Sequence, residues 1–143
     1  MTTTPTIRAM RIEDYPLVYE LWSRCTGFSM KDADDSEHAI RVFLERNPDT
    51  CFVAEGDGGN IIGAILAGHD GRRSRIYHTA VHPEARGMDV GSLLAGHAVE
   101  ALRALGLPKV AVGVYADNKA GNDFWEQQGF AIRDDLVYRE LSL

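Results

Sequence analysis

Ala80-Val81-His82-Pro83-Glu84-Ala85-Arg86-Gly87-Met88-Asp89-Val90-Gly91-Ser92-Leu93-Leu94 reads as a strand end, a proline stop, a glycine turn and the first turn of an amphipathic helix. Such a layout gathers unpaired backbone N–H groups at a helix N-terminus, where the helix dipole also favours negative charge. It is a cradle for phosphate or pyrophosphate. No Gly-Lys-Ser/Thr follows, which excludes a Walker loop. Only Gly87 and Gly91 are present, which excludes a dinucleotide fingerprint.

Working outward, Thr6–Ile12 alternates as a first strand, and Asp14 is placed to cap a helix carrying Leu17, Val18, Leu21 and Trp22 on one face. Asp34 with Glu37 predicts a capping box for a second helix, stopped at Asn47-Pro48. Strands follow at Cys51–Glu55, Ile61–Gly68 and Ser74–Val81, separated by the turns Gly56–Asn60 and His69–Gly71. The helix after the glycine turn carries Val90, Leu94, Ala98 and Leu102 on one stripe and ends at Gly106 and Pro108. Lys109–Tyr115 has the apolar, β-branched character of a parallel-paired strand. Asn118–Gln128 predicts a short helix, and two closing strands are expected near Phe130–Arg133 and Leu136–Leu143. Strands in succession followed by strand–helix–strand predict an α/β fold with a mixed sheet and helices on both faces.

The chain of 143 residues fits one domain, residues 1–143, with 45% hydrophobic and 25% charged content, ordinary for a globular protein. The net charge of −6 disfavours non-specific nucleic-acid binding; it mildly attracts cationic amines and equally aids solubility. Cys25 and Cys51 stand in no paired or metal-ligating spacing, so both are expected as reduced thiols and no metal is expected. The start Met1–Pro5 lacks a signal-peptide layout and no apolar run reaches membrane-spanning length. A cytoplasmic protein without membrane partners, monomer or homodimer, is the expectation.

Two motifs give these elements a family. Arg86, the strand ending Ala80-Val81-His82-Pro83, and Gly91 resemble the acetyl-CoA signature of the GNAT N-acetyltransferases, with Asp89 in place of the middle glycine. Downstream, Asn118 followed by Trp125-Glu126-Gln127-Gln128-Gly129-Phe130 resembles the family's second motif. The resemblance covers nearly the whole chain. Gly68–Arg73 followed by Ile76-Tyr77-His78 is similar to a subgroup of small, single-domain bacterial members.

The resemblance implies the GNAT acyl-CoA N-acyltransferase fold: a mixed, mostly antiparallel sheet of about seven strands flanked by about four helices. It also implies a sheet splayed between its fourth and fifth strands, here Ser74–Val81 and Lys109–Tyr115. The implied activity is transfer of acetyl from acetyl-CoA, as co-substrate, to a primary amine of a small molecule or protein. Backbone groups of Thr79, Ala80 and Val81 would pair with the pantetheine arm. The turn formed by Arg86, Gly87, Met88, Asp89, Val90, Gly91 and Ser92 would hold the pyrophosphate. Arg86 either contacts phosphate or braces the loop. Asn118 either touches pantetheine or caps its helix, and Trp125 lies at the cofactor side.

Asp89 leaves three readings: a carboxylate repelling pyrophosphate, a side chain turned outward, or a member that has lost the reaction. It could also cap the helix at Val90, competing for the N–H groups that phosphate needs.

Trp125 stands where many members carry a proton-donating tyrosine, and Gly113 where ribosomal-protein alanine acetyltransferases carry a glutamate. Tyr77 matches the position of a strand histidine in arylalkylamine acetyltransferases. It is the first candidate to protonate the leaving thiolate, against a packing role. Histidine is the side chain that titrates near neutrality, which makes His78 the second candidate, but strand alternation points it to the opposite face. The alternative to an enzyme is a catalytically degenerate CoA-binding sensor or interaction protein.

Overall fold

The computed structural model describes residues 4–25 and 33–143. Strands β1 (Thr6–Ala9), β2 (Phe52–Glu55), β3 (Ile61–His69), β4 (Ser74–Val81) and β5 (Val110–Val112) form one sheet in the order β1-β2-β3-β4-β5. The first four pair antiparallel, and β5 joins β4 in parallel. Helices α1 (Tyr15–Arg24) and α2 (Glu37–Arg46) cover one face, α3 (Val90–Ala104) the other, and α4 (Lys119–Gln127) follows β5. This is the mixed α/β architecture expected.

Each face has its own core. Val18, Leu21, Trp22, Ile40 and Leu44 of α1 and α2 pack on Val53, Ala64, Leu66 and Ala80. Val90, Leu94, Ala98 and Leu102 of α3 pack on Ala54, Ile65, Ala67 and Ile76. The alternation of β3 between the two clusters is what a strand buried on both faces requires.

Several local expectations are corrected. Asp14 makes no cap for α1; its carboxylate accepts from both terminal nitrogens of Arg8 (2.8 and 2.7 Å) and from the Arg11 amide (2.8 Å). The cation on β1 lies close enough to claim both oxygens, and a charged donor outcompetes a helix amide. Ser36, not Asp34, caps α2 by accepting from the Ala39 amide at 3.1 Å, while Asp34 belongs to a 3₁₀ turn. The sheet has five strands among the described residues rather than about seven, because 130–143 form no ladder. β5 spans only three residues, too short an edge to template two further strands, and Ile132, Val137 and Leu141 are exposed.

Candidate active site

Two irregularities in β4 shape the site. The first is a bulge. Ile65 of β3 faces Thr79 and Ala67 faces Ile76, so two residues, Tyr77 and His78, stand opposite the single Leu66. A bulge breaks the two-residue alternation. Ile76 points to the α3 core, yet both Tyr77 and His78 lie on the α1/α2 face. The Tyr77 ring meets Phe43 of α2 edge-on at 5.5 Å, and the His78 ring meets Trp22 of α1 at 4.9 Å. The expectation that His78 points away from Tyr77 is therefore corrected.

The second irregularity is a fork. β4 pairs with β5 only through Ser74–Val110, Arg75–Ala111 and Ile76–Val112. Beyond that vertex β4 runs on through Val81 with no β5 partner in the ladder among the described residues, so the two strands part and an extended chain can enter between them.

The wide end of the fork meets the glycine loop. Val81 leads through His82, whose Nδ1 accepts from the Glu84 amide (3.1 Å), and a 3₁₀ turn over Pro83–Ala85. Gly87 takes φ 87°, open to glycine at no steric cost. Met88 is half-buried. Asp89 also lies in the left-handed region, at φ 60° and ψ 20°, and its side chain makes no cap bond. The first-turn amides of α3, Gly91 and Ser92 among them, thus have no side-chain acceptor among the described residues, as an anion cradle requires. Val90 is buried and anchors that turn. The Ser92 hydroxyl accepts from Gln128 at 3.0 Å, tying α3 to the end of α4.

Arg86 is exposed, and Cys25, at the end of α1, donates its thiol hydrogen to the Val81 carbonyl at 3.5 Å. Burial pushes the Cys25 thiol up, against the opposing pull of Arg86. Asn118 caps α4, its Oδ1 accepting from the Gly121 amide at 3.0 Å, which leaves the amide nitrogen for other contacts. Trp125 is 8% exposed, enclosed by Phe124 and Phe130 at about 5 Å.

No motif or alternation marks Asp35 as a site residue. It is 4% exposed, and the His78 Nε2–H donates to its Oδ1 at 2.7 Å. Because a carboxylate only accepts, this bond puts the hydrogen on Nε2. The Tyr15 hydroxyl donates to the Asp35 carbonyl at 2.8 Å and holds the segment in place. Trp22 Nε1, Asp35 Oδ2 and Thr79 Oγ1 are buried without hydrogen-bond partners among the described residues. Trp22 and Asp35 touch the His78 ring and Thr79 follows it in sequence, so these polar atoms gather beside the fork. Tyr77 is 54% exposed there.

A separate groove of about 520 Å³ runs between α1 and the β2–β3 turn, with Leu17, Asp57 and Ile62 in its walls. It shares His82, Glu84, Ala85 and Met88 with the glycine loop but none of Tyr77–Val81. Among the described residues no cluster of His, Cys, Asp and Glu could hold a metal. No helix described is long and apolar enough to cross a membrane.

The model of the acetyltransferase (GNAT) family matches residues 15–130. The chain belongs to the GNAT acetyltransferase family. Two relatives named acetyltransferases agree with this assignment. One, from Pectobacterium atrosepticum, is 35% identical over 92% of this chain and 91% of its own. The other, from Sodalis glossinidius, is 33% identical over 92% and 90%. The crystal structure of the PaiA N-acetyltransferase from Thermoplasma acidophilum, in complex with coenzyme A, superposes with a TM-score of 0.81. It is 18% identical, with 92% of each chain covered, a likeness of fold. Acetyl transfer is the general chemistry of this GNAT chain.

Proposed function

We propose that this GNAT protein transfers acetyl from acetyl-CoA to a primary amine of a small molecule or protein by direct attack in a ternary complex. The observation that carries this reading is the fork. The part of β4 beyond its last β5 pair, Tyr77–Val81, runs from the β4–β5 vertex to a helix N-terminus whose N-cap side chain makes no cap bond. A long acyl thioester with a pyrophosphate in its middle matches both ends of that path. Thr79, Ala80 and Val81 would pair with its arm, and amides from Gly87 to Ser92 would receive the diphosphate.

Acetyl-CoA supplies the activated acetyl group. His78, oriented by Asp35, receives the proton that the attacking amine releases. The Tyr77 hydroxyl, on the same face because of the bulge, protonates the departing thiolate. A backbone N–H of the open edge polarises the thioester carbonyl. The nitrogen–carbon bond forms as the carbon–sulfur bond breaks, and the products are an N-acetylated amine and the free thiol. Cys25 and Cys51 take no part: burial pushes both thiols up, Cys51 to about 11, which disfavours a thiolate nucleophile. Two free thiols also fit a cytoplasmic enzyme.

The test is thiol release from acetyl-CoA across a panel of primary amines. Acetyl-CoA binding without thiol release from any amine would favour the rival reading, a CoA-binding protein without turnover. The enclosure of Trp125, where a phenol would otherwise serve as acid, is the feature that favours that rival.

A further inference from the structure

Arg75 lies on β4 opposite Ala111, one residue before the last β4–β5 pair, Ile76–Val112. It alternates with Ile76, so its side chain emerges on the face shared by Tyr77 and His78. Its guanidinium carbon lies 5.8 Å from the centre of the Tyr77 ring and 5.4 Å from that of Tyr138. Phe43 steadies the Tyr77 ring edge-on.

The guanidinium reaches across β5 to Gly113, the first residue past the vertex. A Cβ built on Gly113 would lie 2.7 Å from an Arg75 terminal nitrogen, so a side chain there would shift the guanidinium from this place. Among the described residues Arg75 has no ion pair or hydrogen bond. Glu140, close by in the chain to Tyr138, accepts instead from the Tyr138 hydroxyl at 2.8 Å.

A guanidinium held between aromatic rings keeps its in-plane N–H fork for a ligand. That fork matches a carboxylate in bidentate geometry. We propose that Arg75 binds the carboxylate of the acceptor, so that the acceptor is a small molecule carrying both a primary amine and a carboxylate. This rests on the acetyl-transfer reading, because the same vertex is where the amine must meet the thioester. The carboxylate then lies at Arg75 while the amine faces Tyr77 and His78 farther along the strand.

The experiment compares amino acids of increasing amine-to-carboxylate separation with their primary amides, by steady-state kinetics with acetyl-CoA. The best acid should exceed its amide in kcat/KM by roughly 10- to 100-fold, the usual worth of a charge-assisted pair. Arg75→Gln should bring that ratio close to one, with the loss of the acid appearing in KM. Gly113→Ala keeps the charge but displaces the guanidinium, and should also lower the ratio. Melting temperatures of both variants separate misfolding from lost recognition, and Arg75→Lys should retain part of the preference.

The same acids and amides, and their N-acetylated forms, are titrated calorimetrically into the protein with and without CoA. This reads Arg75 without turnover. If acetyl-CoA binds and transfers but acids and amides are indistinguishable, the inference is overturned while the proposed function stands. If acetyl-CoA neither binds nor transfers, the proposed function falls, and the titration still decides whether Arg75 selects carboxylates. An Arg75→Gln loss equal for acid and amide, carried in kcat, would instead assign Arg75 to the thioester and refute the inference.

Discussion

Replacing Asp89 with glycine should both stabilise the protein and tighten acetyl-CoA binding. Asp89 is the only described non-glycine residue with positive φ, at 60°. The left-handed conformation costs an L-residue about 1–2 kcal/mol, and glycine returns about 0.5–1 kcal/mol of that in unfolded-state entropy. The carboxylate makes no cap bond, so no hydrogen bond is lost. The net gain is about 0.5–1 kcal/mol, a rise in melting temperature of roughly 2–4 °C for a domain of this size.

Removing the charge also relieves repulsion of about 1 kcal/mol per charge pair at 4 Å in water, several-fold in affinity. That part should fade as salt shortens the screening length from about 10 Å at 0.1 M to about 3 Å at 1 M. Calorimetric titration of Asp89→Gly and Asp89→Asn at both salt concentrations separates the effects, since asparagine removes charge but keeps the side chain. Destabilisation by glycine would show that the carboxylate caps α3. Unchanged affinity of both variants at low salt would show that it faces away from the phosphates.

Tyr77→Phe should lower kcat by roughly 10²-fold while the KM for acetyl-CoA barely moves, measured by thiol release; a rate near wild type would assign Tyr77 to packing. Asp35→Ala should lower kcat by about 10- to 100-fold and shift the imidazole ¹⁵N resonances of His78 away from the Nε2–H form, whereas Asp35→Asn, still able to accept, should retain more of both. Unaltered resonances in Asp35→Ala would separate Asp35 from the tautomer. Burial opposes ionisation of Asp14, but the Arg8 guanidinium and the Arg11 amide outweigh it and hold its carboxyl below the usual range. Its stabilisation is therefore complete above about pH 4, the ordinary carboxylate range, and is lost as pH falls through the lowered value. Urea denaturation at neutral and acid pH should show that loss in wild type and a flatter profile in Asp14→Asn.

How far the sequence was readable depends on how local each interaction is. The bounds of β4, Ser74–Val81, and the start of α3 at Val90 followed from a proline, a glycine and apolar spacing, all signals that act within one turn. The bulge at Tyr77 and His78 did not, because alternation assumes an unbroken ladder and the extra residue is set by pairing with β3. Asp14 reads as a cap because capping is local, but Arg8 is near it only in the folded chain. Asp35 sits in an acidic run without periodicity, and only the fold brings it to His78. The alternating apolar residues after Phe130 carry strand propensity, but the short β5 edge gives them no ladder. Arg75 carries no motif: its surroundings are Tyr77 two residues along the same strand, Gly113 just past β5 and Tyr138 of the C-terminal segment, and the last two meet it only in the folded chain.

The central claim is that acetyl-CoA occupies the fork of β4 and β5 with its diphosphate at α3. Backbone amide resonances followed during an acetyl-CoA titration test it most directly. Saturable shifts should concentrate at Thr79, Ala80 and Val81 and at Gly87, Asp89, Gly91 and Ser92. Shifts confined to Leu17, Asp57 and Ile62, in the groove between α1 and the β2–β3 turn, would contradict it, as would the absence of any saturable shift.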